Sequence, residues 1–197
     1  MNQMKSASPT FLSIRQVLKY LVAPPEDELE NLLKLFKTRT LETGEYFVRS
    51  GDQSIELGFV NSGLLRFFYQ TDDGKEFNKS FITENQFAAA YSAFLTRLPA
   101  RFSIQAMDKS HLLTCDLASV VNLFDQHRCW EKLGRLLAEQ LYIKKETREA
   151  EFLLDDAETR YLNFQTNYPG LEHRITQYHV ASYLGITPVM LSRIRRR

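Results

Sequence analysis

Glycine placement constrains the fold of this chain more than any other feature. Five of its eight glycines, Gly44, Gly51, Gly58, Gly63 and Gly74, fall in one stretch and cut it into short apolar or alternating runs. Punctuation of this kind suits short strands and tight turns. It predicts strands at Arg39–Leu41, Tyr46–Arg49, Leu57–Asn61, Gly63–Gln70, Phe77–Ile82, Phe102–Met107 and Ser110–Cys115. Asp72-Asp73-Gly74 reads as a hairpin turn, because glycine accepts a positive φ without strain. Several short strands at this spacing predict an antiparallel barrel, roll or sandwich.

The flanking segments carry a helical period. Leu12, Val17, Leu18 and Leu21 precede a Pro24-Pro25 break, and Leu29, Leu32, Leu33 and Phe36 follow Glu26 and Asp27. Two short helices are expected there, the second with acids in its positive first turn. After Leu117 the chain reads as helix to about Leu154, as one long helix or two shorter ones, with Trp130, Leu133, Leu137 and Leu141 on a stripe. The stripe suits a seam against a second copy of the chain, over a heptad that is short and imperfect. The segment from Lys144 to Glu151 is nearly all charged, with Lys145 and Glu149 at i,i+4, and reads as a solvated face. Asp155-Asp156-Ala157-Glu158 looks like a fresh helix start and a hinge.

Composition limits what the chain does. With 197 residues, 44% hydrophobic and 12% aromatic, it has the material for a packed core and does not read as disordered. Apolar runs such as Phe87–Tyr91 are far shorter than the ~20 residues of a membrane span. The polar stretch Met1–Thr10 lacks the apolar core of a secretion signal, so a cytoplasmic protein is expected. Cys115 and Cys129 have no partner at metal-binding spacing and read as isolated reduced thiols. His111, His127, His173 and His179 are scattered, and no nucleophile elbow, zinc motif or phosphate loop is present. No enzyme, metal site or cofactor is expected.

Charge separates the tail from the rest. From Thr159 onward there are six arginines, no lysine and one acid, Glu172, a net of +5 that leaves −4 for the preceding residues against a total of +1. A basic end on an acidic body favours a polyanionic partner. Within it, Ile175 to Ile194 has the shape of a helix-turn-helix. The first helix starts near Thr176 with Val180, Ala181 and Leu184 inward; Gly185 terminates it, Thr187 caps the second, and Pro188 suits that helix's first turn. Met190, Leu191 and Ile194 are expected to pack inward, leaving Val189, Ser192, Arg193 and Arg195 to Arg197 outward. Arginine pairs bidentately with guanine in the major groove, and serine or threonine contacts bases or phosphates.

With these parts in order, the chain resembles the CRP/FNR family of bacterial transcription regulators from about Leu12 to Arg195. The tail ITQYHVASYLGITPVMLSRIRR carries the most specific part of the match, and Gly44-Glu45, Arg49, Gly51-Asp52 and Val60-Asn61-Ser62-Gly63 resemble the family's early roll signature. The resemblance implies an α+β chain with a cyclic-nucleotide-binding-like antiparallel β-roll, jelly-roll-like, and flanking helices over residues 1–120. A long dimerisation helix over 121–154 and a small helix-turn-helix domain over 155–197 follow. It implies double-stranded DNA and a second copy of the chain as partners, with RNA polymerase as a candidate third.

Departures from the family pattern sharpen the expectation. Where cyclic-nucleotide-binding members place a Phe-Gly-Glu motif, Phe87 is followed by Ala88-Ala89-Ala90, and alanine supplies neither the ribose acceptor nor glycine's close approach. Cyclic AMP is therefore not the expected effector. Arg66, Tyr91, Arg101 and Ser103 are candidates for a pocket for some other small molecule, and no iron–sulfur cysteine set is present. In the second helix Val189 replaces a common acidic residue, limiting it to apolar contacts such as a thymine methyl. The stretch from Tyr168 to Arg174 is short for a β-hairpin wing, leaving phosphates to Arg174, Thr176, Gln177 and the terminal arginines Arg195 to Arg197; Thr187, Val189, Ser192 and Arg193 complete the expected DNA-binding set, with Arg193 first for base readout. The leading expectation is a homodimeric regulator on an inverted repeat. A second makes the roll a ligand-sensing module whose tail contacts protein.

Overall fold

The computed structural model describes residues 9–53 and 56–196, so Arg197 and most of the polar N-terminal stretch lie outside it. Helix α1 (Leu12–Val22) ends at Ala23, which adopts a left-handed conformation at φ 43° and donates its N–H to the Lys19 carbonyl. Pro24 and Pro25 forbid its continuation, and α2 (Glu26–Leu33) begins at once with three acids in its first turn. Arg15 ties the pair together by bonding Glu26 and Glu30.

Eight strands follow: β1 (Lys37–Leu41), β2 (Tyr46–Val48), β3 (Glu56–Ser62), β4 (Leu65–Gln70), β5 (Glu76–Ile82), β6 (Phe87–Ala89), then, after helix α3 (Tyr91–Thr96), β7 (Ser103–Ala106) and β8 (Ser110–Asp116). They form two four-stranded sheets, ordered β1-β8-β3-β6 and β2-β7-β4-β5. The antiparallel registers Lys37↔Thr114 and Leu57↔Cys115 place β8 between β1 and β3. Seven of the eight strands fall where the glycine punctuation puts them. The eighth, β6, was unexpected, because Phe87-Ala88-Ala89 has no alternation and alanine has poor strand propensity. Pairing with β3 through Gly58↔Ala88 makes it a strand. Gly63 has φ 113°, and a Cβ there would lie 2.5 Å from the Ser110 Cα, so only glycine lets the β3–β4 turn pass β8.

Two compact units emerge. Among the described residues, the first contains those up to 67 and 81–137, the second 68–80 and those from 138 onward. In the first, the interior of the roll is filled by Phe47, Leu65, Phe67, Phe102, Ile104 and Leu112 together with the small residues Ala88, Ala90, Ala93 and Ala100. A separate cluster joins α1 and α2 to Phe59, Leu113 and Trp130. The region after β8 resolves into two helices, α4 (Leu117–Val121), capped by Asp116 on the Ser119 amide, and the 27-residue α5 (Arg128–Leu154).

Trp130 and Leu133 depart from the reading that put them on an exposed seam. Trp130 is fully buried and Leu133 nearly so, and the Trp130 indole donates to Glu28 at 2.7 Å. Leu137 packs against the same cluster, and of the four only Leu141 is exposed. Their period signals burial within the chain, which a sequence period alone does not distinguish from burial against a second copy.

The second unit carries α6 (Ala157–Asn167), α7 (Gln177–Leu184) and α8 (Pro188–Ile194). Asp156 caps α6 by accepting from the Thr159 amide at 2.8 Å, the helix start expected there. Phe164, Tyr168 and Tyr183 form a three-ring cluster with centroids 5.4–5.5 Å apart, and Leu171, Val180, Ala181 and Leu191 complete the core.

Candidate nucleic-acid interface

Helices α7 and α8 meet through a turn dictated by local chemistry. Gly185 sits at φ 70°, its N–H reaches the Ser182 carbonyl, and the Ile186 N–H returns to the Ala181 carbonyl at 3.1 Å. These bonds make a Schellman terminator, which consumes carbonyls that a helix end leaves orphaned. Two residues later Thr187 accepts the Met190 amide at 3.2 Å, and Pro188 occupies the first helical position. Three residues, Gly185, Ile186 and Thr187, separate α7 from α8, the turn length of a helix-turn-helix pair.

Two arginines support this turn from outside the motif. Arg148 donates to the Tyr183 carbonyl at 2.6 Å with its guanidinium 3.7 Å above the Tyr183 ring. Arg160 donates to the Leu184 carbonyl at 3.2 Å and to the Asp155 carbonyl at 2.6 Å. Both place positive charge at the negative end of α7. Arg148 lies in the segment read as a solvated face, yet it is half-buried; a charge run does not reveal which member turns inward. These residues position the motif and were not legible as functional.

The other face of α7 is held by the β4–β5 hairpin of the same unit. The Ser182 hydroxyl accepts the Asn78 N–H at 3.0 Å and donates to the Glu76 carbonyl at 3.1 Å, standing in for a neighbouring strand. Asn78 is buried and donates its side-chain amide to the His179 carbonyl at 3.0 Å.

Most of the residues expected on the outward side of the second helix are exposed. On α8 Val189 is 62% exposed and Arg193 is exposed, as is Arg196 just beyond its end, whereas Leu191 is fully buried. Ser192 and Ile194 are half-buried. Met190, expected inward, is 45% exposed: it lies a quarter-turn from Leu191, and the Leu191 side chain fills the inner position. Arg174, Thr176 and Gln177 are exposed at the start of α7. Arg195 stands 3.8 Å from Glu172, whose carboxylate also accepts from Tyr161 at 2.8 Å, so this arginine is engaged with the turn before α7. A single 3₁₀ turn, Leu171–His173, occupies the place where a wing would stand, and no strand lies there among the described residues.

The four residues named for an effector pocket do not form an open polar cavity. Arg66 is buried with two of its nitrogens on the Gln105 side-chain oxygen, at 2.9 and 2.6 Å. Ser103 is buried and accepts the Ser50 amide at 2.9 Å. Tyr91 is half-buried and stacks on Phe94, and Arg101 is exposed. Ala88, where a nucleotide would need glycine's close backbone approach, is itself a core methyl, and Ala89 has no acceptor for a ribose hydroxyl. The residues present do not fit a cyclic nucleotide.

Comparison with known proteins agrees with this architecture. Residues 38–127 match the family model for the cyclic nucleotide-binding domain. No curated protein matches the chain in sequence. Among solved structures, the c-di-GMP-responsive global regulator CLP of Xanthomonas campestris is similar at TM-score 0.69 and 16% identity, over 87% of this chain and 90% of that one. FixK2 of Bradyrhizobium japonicum gives 0.71 at 14% identity, over 82% and 83%. A transcriptional regulator of the crp/fnr family from Eubacterium rectale gives 0.70 at 14%, over 96% and 87%.

The fold is therefore that of the CRP/FNR transcription regulators: a β-roll with flanking helices, a long helix and a helix-turn-helix. No helix among the described residues is long and apolar enough to cross a membrane.

Proposed function

We propose that this protein is a sequence-specific DNA-binding transcription regulator, working as a homodimer on an inverted-repeat site. The observation that carries the reading is the outward face of α8. Val189 and Arg193 project opposite the buried Leu191, with Arg196 just past the helix end, and the helix start is capped while its partner α7 is locked by Gly185, Arg148 and Arg160. The +5 balance of the tail supplies attraction to a phosphate backbone. Two such helices on a two-fold dimer enter successive major grooves ~34 Å apart.

The seam for the second copy lies on a different stripe of α5 from the one the leucine period suggested. Leu136, Ile143, Ala150 and Leu154 recur at spacings of seven and four, and Ile143 and Leu154 are 60% and 82% exposed. An apolar stripe of this kind on a long helix suits a coiled-coil contact. The roll's effector, if it takes one, is a molecule other than cyclic AMP, because the alanine series leaves no phosphate cradle.

Selection from randomised duplex DNA by the full-length protein tests the reading, and an enriched inverted repeat is the expected result. Arg193→Ala is expected to relax one base position of that repeat by roughly 1–3 kcal/mol. An enriched motif that is unchanged in this variant refutes the role of Arg193, and failure to enrich any motif refutes the reading.

A further inference from the structure

We infer that the first turn of α8 recognises the 5-methyl group of thymine, through Val189 flanked by Met190, and that each half-site carries a thymine beside the guanine read by Arg193. The inference rests on the reading of α8 as a recognition helix and adds to it the class of base selected.

The argument begins with angle. At ~100° per residue, the direction opposite buried Leu191 falls between Val189 and Arg193, with Arg196 one turn further on the same side. Val189 is therefore central to the exposed face, and at 62% exposure it meets nothing that hides it. Met190 flanks it at 45% exposure. Both leave apolar surface in water at the start of a helix whose core position is already filled by Leu191. That remaining surface gains burial from an occupant of the outer face.

The chemistry of the turn then selects the base. Its four residues are Thr187, Pro188, Val189 and Met190. Proline has no N–H, and the threonine hydroxyl already accepts the Met190 amide at 3.2 Å. The turn holds no carboxylate to accept from cytosine N4, no carboxamide to pair with adenine and no guanidinium for guanine. The feature of a major-groove edge that apolar side chains distinguish is the thymine methyl. Residues near the start of a recognition helix are the ones that contact base edges, which places Val189 at the bases and leaves Arg196 closer to the backbone. Arg193, four residues on and on the same face, supplies the bidentate fork for guanine.

The test uses the full-length protein and the site it enriches from randomised duplex DNA. Thymines of the half-site are replaced one at a time by deoxyuracil, which removes the methyl and keeps the base pair, and affinity is measured for the protein and for Val189→Ala. At one thymine, loss of the methyl is expected to weaken binding roughly three- to fivefold, as for one buried methyl group. The penalty shrinks in Val189→Ala, and exchange of that T·A pair for 5-methylcytosine·G retains more affinity than exchange for cytosine·G. Specific binding that is indifferent to deoxyuracil at every thymine, or a penalty unchanged in Val189→Ala, overturns this inference while the regulator reading stands. A protein that selects no DNA overturns both. Because Val189 is exposed, its truncation leaves the fold intact, and a circular dichroism melt verifies this.

Discussion

Lys79 carries its positive charge at a cost. It is half-buried on β5, its ammonium lies 5.7 Å from the Tyr69 ring centroid, and burial together with the nearby Lys145 lowers its pKa to about 8 from the ordinary 10.5. The folded state therefore sheds this proton before the unfolded chain does. Stability is expected to rise with pH between about 8 and 10.5, and the penalty is fully present below 8. Lys79→Met is expected to stabilise the protein at pH 7 by on the order of 2 kcal/mol and to flatten that rise, read from denaturant melts across pH. Cys115 shows the opposite shift: burial, with Asp116 and Glu56 nearby, pushes its thiol up to about 12. Cys129 is also buried and raised, beside the His127 ring nitrogen at 3.0 Å. Neither thiol is expected to react with Ellman's reagent at pH 8 until the protein is unfolded, and rapid native labelling of either one would contradict this.

At the scale of elements, α7 is held at its end and along its flank. Its C-terminal carbonyls are met by the Ile186 and Gly185 amides, Arg148 and Arg160, and on its flank its own Ser182 hydroxyl bonds two backbone groups of β5. Removing that hydroxyl leaves an N–H and a carbonyl without their partner in a half-buried contact. Ser182→Ala is expected to cost about 1–3 kcal/mol and to accelerate hydrogen exchange at the Asn78 amide before the rest of β5. Unchanged exchange at Asn78 would mean that water replaces the hydroxyl. Thr in place of Ser182 retains the bonding group and separates this loss from the effect of volume.

For the molecule as a whole, the decisive quantity is the number of copies in the working unit. An inverted repeat is read by a two-fold pair, and the stripe from Leu136 to Leu154 is where the second copy is proposed to sit. Light scattering at micromolar concentration is expected to give twice the chain mass of 23.0 kDa. Ile143→Glu is expected to return the mass to that of one chain with an unchanged melt of the roll, since Ile143 is 60% exposed within a single copy. A dimer that survives this change would place the seam elsewhere.

Much of this organisation is written in local chemistry, and the sequence by itself determined it. Glycines and prolines set where strands and helices stop, because they act through backbone torsion within a few residues: Pro24-Pro25 ends α1, and Gly185 with Thr187-Pro188 builds the turn of the motif. The short links and the arginine-rich end were likewise open to direct reading. Side-chain destinations were not. The leucine stripe headed by Trp130 carries the same period whether it faces its own α2 or a second chain, and only tertiary packing, with the indole on Glu28, decided between them. Arg148 in a run of charges and Ser182 on an amphipathic helix gave no signal, since their partners lie 35 and more than 100 residues away. Met190 turned outward because Leu191 took the single inward position. Torsion is a property of neighbouring residues, whereas burial is a competition among distant ones, and that competition is settled when the chain closes on itself.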